Sequence, residues 1–189
     1  MLAIDLGGKV ALVLGGSRGI GRGITETLAR AGATTVFTHT GNPKYAEHLT
    51  QTLRRLQAEG YRVEAVVADA CRPEDTDAVV KRLVDEHGRL DALLANVGQN
   101  LARPAEETTS DSWRHFLDIN LSSAFYAVRA VLPAMLLAGD GRIIFIGSSA
   151  VFDGGGGAID YAAAKAGIVG MMRYLARTYA RRGIRTHVV

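Results

Sequence analysis

Six short apolar runs, separated by longer amphipathic stretches, constrain this chain more than any single residue does. The runs cover 10–14, 35–38, 62–68, 92–95, 142–146 and 185–189, and the stretches between them with helical spacing cover 19–31, 44–59, 74–87, 110–137 and 158–182. Thr109 stands where a helix N-cap belongs and Pro73 suits a first helical turn. Strict alternation of this kind requires parallel neighbours joined by right-handed crossovers. Strands apolar on both faces belong inside a sheet that helices cover on each side. The expected fold is α/β: a doubly wound parallel sheet in a single domain.

Composition narrows the function classes. With 189 residues, 48% of them hydrophobic, the chain can bury a core without disulfides or metals. Cys71 is the sole cysteine, so no internal disulfide, zinc site or redox pair is expected. No apolar run reaches the roughly 18 residues of a membrane helix, and residues 1–8 carry Asp5 rather than a basic cluster before an apolar core. A cytoplasmic location and no membrane partner are expected. The net charge of +3 comes from 22 basic and 19 acidic residues that are intermixed, which reads as solvated surface. The arginines between 173 and 185 lack interleaved aromatics, so nucleic-acid binding is not expected.

The first apolar run leads straight into Gly15-Gly16-Ser17-Arg18-Gly19-Ile20-Gly21 and then a helical stretch. Glycine permits a sharp turn and close backbone approach, and a helix N-terminus offers free N–H groups and a positive dipole. A strand, glycine turn and helix in this order make a dinucleotide phosphate cradle of the Rossmann type. A carboxylate at the end of the second strand would hold a ribose 2′-hydroxyl and repel a 2′-phosphate, but that end reads Thr38-His39-Thr40-Gly41. With Arg18 in the turn, the site suits NADP(H) better than NAD(H). His39 reads equally well as a phosphate contact or a surface residue, and Thr40 reads as a hydroxyl donor.

Tyr161 and Lys165 lie four residues apart in the last helical stretch, on one face. A free tyrosine titrates near 10, and an adjacent cation favours its phenolate, which is how such a pair becomes an acid–base catalyst.

Glycine turn and Tyr-Lys pair together resemble the short-chain dehydrogenase/reductase family over the whole chain. The resemblance implies an adenine contact at Asp69 and its neighbour Ala70, and Ala95-Asn96-Val97-Gly98 is similar to the family's Asn-Asn-Ala-Gly segment. Asn120 and Ser148, the latter 13 residues before Tyr161, complete with Tyr161 and Lys165 what the resemblance implies is a catalytic tetrad. It implies hydride exchange between NADP(H) and a carbonyl or alcohol. Tyr161 would give the proton, Ser148 hydrogen-bond the oxygen, Lys165 hold the ribose and Asn120 anchor a water. Pairing of the long helices into a homodimer or homotetramer is also implied.

Leu14, Ala95, Gly147 and Ala164 depart from the family's usual Thr, Asn, Ser and Ser. The first two suggest that an apolar contact replaces a polar tie between the first turn and the fourth strand. The family continues past a strand like 185–189 into a substrate-covering loop and a seventh strand, so this sequence is expected to be a piece lacking both or one that omits a disordered tail. Within the family it looks most like 3-oxoacyl thioester reductases, with sugar, steroid or small-ketone enzymes as alternatives. A non-catalytic NADPH sensor or assembly subunit remains the reading from another class. The run 154–157 of four glycines reads as a mobile rim for a bulky substrate or as a plain loop.

Overall fold

The computed structural model describes residues 4–189. Its strands are β1 (Val10–Leu14), β2 (Thr34–His39), β3 (Val63–Val67), β4 (Ala92–Ala95), β5 (Gly141–Phe145) and β6 (Ile184–Val188). They form one six-stranded sheet in the order β3-β2-β1-β4-β5-β6, parallel at every pairing. Around it run α1 (Gly19–Arg30), α2 (Ala46–Ala58), α3 (Pro73–His87), α4 (Ser110–Leu117), α5 (Ser123–Ala138), α6 (Ala150–Asp153) and α7 (Ile159–Tyr179).

The central strands are central because both their faces are apolar. All five residues of β1 are buried. Val13, Phe37 and Leu94 project to one side against Ala29 of α1 and Leu49 and Leu56 of α2. Leu12, Leu93 and Ile143 project to the other, against Leu83 of α3, Val131 and Met135 of α5 and Leu175 of α7. Burying such side chains stabilises by about 1.5–3 kcal/mol each, which is what fixes the sandwich of helices on both faces.

Some details correct the sequence reading. Coverage on both faces does not extend to the sheet's edges: in β6 Ile184 and Thr186 are buried while Arg185 and His187 are exposed, the alternation of a half-covered strand. The single helix expected at 110–137 is three pieces, because a π turn at Asp118–Ser122 interrupts it. The short helix α6 was not anticipated. Finally, the stretch Ser110–Ala138 contains an 18-residue window of mean hydropathy 1.6, long and apolar enough by composition to cross a membrane, contrary to the expectation that none would be. Here it is a helix of the fold, with Ala127, Val131 and Met135 wholly buried in the core. The caps behave as expected: the Thr109 hydroxyl accepts from the Ser112 N–H at 3.1 Å, and Pro73 opens α3.

Candidate active site

The strand order reverses between β1 and β4, and a cleft of about 570 Å³ opens at the carboxyl ends of the strands there. The glycine turn forms its floor. Gly19 sits at φ +52°, a left-handed conformation that a side chain would strain, and open space surrounds its missing Cβ. Gly21 is glycine for a different reason, since a Cβ there would lie 2.2 Å from the Gly15 carbonyl oxygen and 2.5 Å from Asn96 Nδ2. Ser17, Arg18 and Ile20 share this wall with Gly15, Gly19 and Gly21. No side chain caps α1, and no acidic residue stands in its first turn. Its leading N–H groups and dipole are left to an anion entering the cleft.

Thr38 fastens the turn to β2, its hydroxyl accepting from Gly15 N–H at 3.2 Å and its carbonyl from Gly16 N–H at 3.1 Å. His39 and Thr40 line the cleft beside it. Nδ1 of His39 accepts from Gly41 N–H at 3.1 Å, which leaves Nε2 to the cleft, and burial pushes the imidazole below its ordinary pKa. Arg18 does not hang free: its guanidinium lies 4.6 Å above the Tyr45 ring and donates to the Tyr45 hydroxyl at 3.0 Å. Arg18, His39, Thr40 and Tyr45 together border an adjoining hollow of about 660 Å³.

Asp69 and Ala70 face the cleft from the end of β3. The Asp69 carboxylate accepts Cys71 N–H at 2.9 Å and does not cap α3. Burial, with Asp69 and Asp118 nearby, pushes the Cys71 thiol up to about 12, which removes it from nucleophilic chemistry. Asn96 and Gly98 line the cleft from the end of β4. The Asn96 amide donates to the carbonyls of Leu14 and Gly15 at 3.2 and 2.9 Å. The polar tie between β1 and β4 therefore persists through Asn96, and the apolar substitute suggested by Leu14 and Ala95 is not needed.

Tyr161 and Lys165 line the opposite wall, with the ammonium 5.7 Å from the phenol ring centroid. Lys165 is 4% exposed, and desolvation pushes it below the usual lysine range. Its Nζ makes one hydrogen bond among the described residues, to the Ile146 carbonyl at 2.7 Å, although an ammonium carries three donors. Asn120 lies beneath the wall. The π turn places it 1% exposed, where its amide donates to the carbonyls of Gln99 at 2.8 Å and Phe116 at 2.9 Å and accepts from Gln99 N–H at 3.0 Å. Gly98 separates Asn120 from Lys165: a Cβ there would be 3.0 Å from Asn120 Oδ1 and 3.5 Å from Lys165 Nζ. Ser148 follows Gly147, which lines the cleft, but is not itself part of that wall; its hydroxyl accepts from Ala150 N–H at 3.2 Å.

Residues 9–189 match the model of the short chain dehydrogenase family. The chain belongs to that family. This short-chain dehydrogenase is 40% identical over 183 residues to the 3-oxoacyl-(acyl-carrier-protein) reductase of Escherichia coli, spanning 96% of the chain and 72% of that protein. The corresponding reductase of Vibrio cholerae is 36% identical over 98% of the chain and 73% of its own length. Among solved structures, a metagenomic short-chain oxidoreductase in complex with NADP superimposes with a TM-score of 0.89 at 30% identity, over 97% of this chain and 81% of that one. A putative NAD(P) dependent gluconate 5-dehydrogenase from Beutenbergia cavernae, with bound NADP, does so with 0.89 at 35%, over 98% and 72%. The chain is thus an oxidoreductase acting on CH–OH or C=O groups.

Some residues of this dehydrogenase's cleft escaped the sequence reading. Thr38, Gln99 and Asn100 line it, and Thr38 was visible at the end of the second apolar run but carries no charge to attract notice. Tyr45 was hidden because a ring that receives Arg18 has no motif of its own. The departure at Gly147 has a packing cause, since a Cβ there would meet Val188 Cγ1 at 2.4 Å.

Proposed function

We propose that this dehydrogenase reduces a carbonyl to an alcohol, or runs the reverse, with NADP(H) in preference to NAD(H), and that a 3-oxoacyl thioester is its foremost substrate class. The observation that carries the reading is the buried Lys165, held beside Tyr161 by one carbonyl with its remaining donors toward a cleft that starts at an uncapped helix N-terminus. The residues present fit the cofactor. The Gly15–Gly21 turn and the α1 N-terminus suit a pyrophosphate, Asp69 and Ala70 an adenine, and the spare Lys165 donors ribose hydroxyls. Arg18, His39 and Thr40 suit a 2′-phosphate, and no carboxylate stands at the end of β2 to repel one.

When bound, the nicotinamide supplies or accepts the hydride. Tyr161 gives the carbonyl oxygen its proton from Oη, and the neighbouring ammonium steadies the phenolate left behind. Ser148 hydrogen-bonds the same oxygen as charge grows on it. Asn120 pins the backbone of Gln99 through its amide, and, as the resemblance implies, would anchor a water through which Lys165 exchanges protons. The substrate assignment leans on the two carrier-protein reductases named above, and the gluconate dehydrogenase neighbour favours the hydroxyl of a sugar or sugar acid as the second reading. The protein is proposed to be cytoplasmic, without nucleic-acid or membrane partners, and to pair α5 and α7 in a homodimer or homotetramer. Phe125 and Tyr174, 49% and 63% exposed, supply apolar surface on those helices.

NADPH consumption with a short 3-oxoacyl thioester tests this. Tyr161→Phe is expected to lower turnover by roughly 10²–10⁴-fold without weakening NADPH binding, and NADH is expected to serve poorly. Tight NADPH binding without turnover on several carbonyls would favour a sensor, and equal use of NADH would remove the assignment to Arg18.

A further inference from the structure

Arg103, on the segment leading out of β4, and Asp160, one residue before Tyr161, stand 57 residues apart yet form an ion pair between Nη2 and Oδ2. Asp160 is wholly buried and the Arg103 side chain is 10% exposed. Taking two charges out of water is costly, so such a pair is weak as a source of stability and strong as a constraint on geometry.

The constraint falls on the catalytic helix. Ala158, at the start of α7, offers no side-chain cap. Asp160 instead accepts the backbone N–H of Tyr161 at 2.7 Å through its other oxygen, Oδ1, satisfying an N–H that helices leave orphaned. The glycines at 154–157 ahead of α7 have no side chains to fix them. The Arg103 segment holds their backbone: Arg103 N–H donates to Gly157 O at 2.7 Å and the Asn100 amide to Gly156 O at 2.6 Å. Arg103 also reaches α4, its guanidinium lying 4.7 Å over the Phe116 ring. The Phe116 carbonyl in turn receives the Asn120 amide. One arginine thus touches both the first turn of α7, which presents Tyr161, and α4, which runs into the π turn that holds Asn120.

We infer that Arg103 and Asp160 are positioning residues that set the Tyr161 phenol relative to Lys165 and Asn120. The inference rests on the carbonyl chemistry proposed above. In this view the glycine rim is tethered, and the buried pair trades stability for the place of the acid.

The test uses the full chain with Arg103→Met, Asp160→Asn and the double variant Arg103→Met/Asp160→Leu. Each is measured for kcat, both KM values, the solvent deuterium isotope effect on kcat, NADPH affinity by fluorescence, thermal midpoint and amide exchange over 154–165. The single variants are expected to lose at least about tenfold in kcat, because small misplacements of an acid cost that much. NADPH affinity should stay within about threefold, the isotope effect should grow as proton transfer becomes slower, and exchange should quicken at 156–161. The double variant has no lone buried charge, so its thermal midpoint should return toward that of the parent protein while its kcat does not. Recovery of kcat together with stability would overturn the inference and leave the pair as packing. Single variants too unstable to purify leave the decision to the double. If the parent protein turns over no carbonyl or alcohol, the functional reading fails on its own. The tether is then judged by exchange: faster exchange confined to 156–161 supports it and unchanged exchange rejects it.

Discussion

Lys165 shows how one residue can work against the fold for the sake of the site. Burial lowers its pKa from the ordinary 10.5, so the unfolded chain binds that proton more tightly than the native one. The resulting loss of stability is complete below the depressed native value and is relieved as pH rises from there toward 10.5. Lys165→Met is therefore expected to melt higher than the parent protein at pH 7, with the gap narrowing in melts repeated toward pH 10, while turnover disappears. A variant that melts lower at every pH would show that the hydrogen bond to Ile146 outweighs the desolvation. Tyr161, Lys165 and the glycine turn were legible in the sequence because each signal is local: a four-residue helical step or a run of glycines after a strand. Arg103 and Asp160 were not, because nothing within either one's neighbourhood encodes a partner 57 residues away.

At the level of elements, the glycine turn, β2 and β4 act as one unit, joined by Thr38 and Asn96. Gly21→Ala pushes a methyl group into the Gly15 carbonyl and the Asn96 amide at once. Overpacking of this kind costs about 1–3 kcal/mol, and NADPH affinity is expected to fall with it by about tenfold or more, read by fluorescence titration and a thermal melt. A variant that binds NADPH normally would mean the turn has room to relax. All six strands and five long helical stretches were legible, since their apolar periodicity is strong. The π turn was not: one extra residue in a helix leaves composition and period almost unchanged, and only the inward placement of Asn120 reveals it. The coverage of β6, and of β3, where only Val63 is buried, was overestimated because a short apolar run looks alike in the middle of a sheet and at its edge.

On the scale of the whole molecule the two ends of the sheet have different tasks. The carboxyl ends of the strands border the cleft, while the amino ends are closed by Asp91, which accepts from Val10 N–H at 2.8 Å, Lys9 at 3.1 Å and Arg89 Nε at 2.8 Å. Burial alone would raise the Asp91 pKa, but these donors outweigh it and hold the carboxyl at about 2. Its contribution to stability is present above the ordinary 3.8 and lost as pH falls toward about 2. Asp91→Asn is expected to cost about 1–2 kcal/mol, Lys9 and Arg89 being partly in water. It should flatten that acid limb and leave kcat and KM unchanged, which denaturant melts and steady-state kinetics check together. Light scattering should also find at least a dimer, and a monomer would leave Phe125 and Tyr174 without the partner proposed for them. The C-terminal end of α3 and the bend after it, residues 85–89, exposed and beside Asp91 at the end away from the cleft, offer a practical handle. Attached to a resin or an electrode through it, every copy would stand with its cleft open to the liquid.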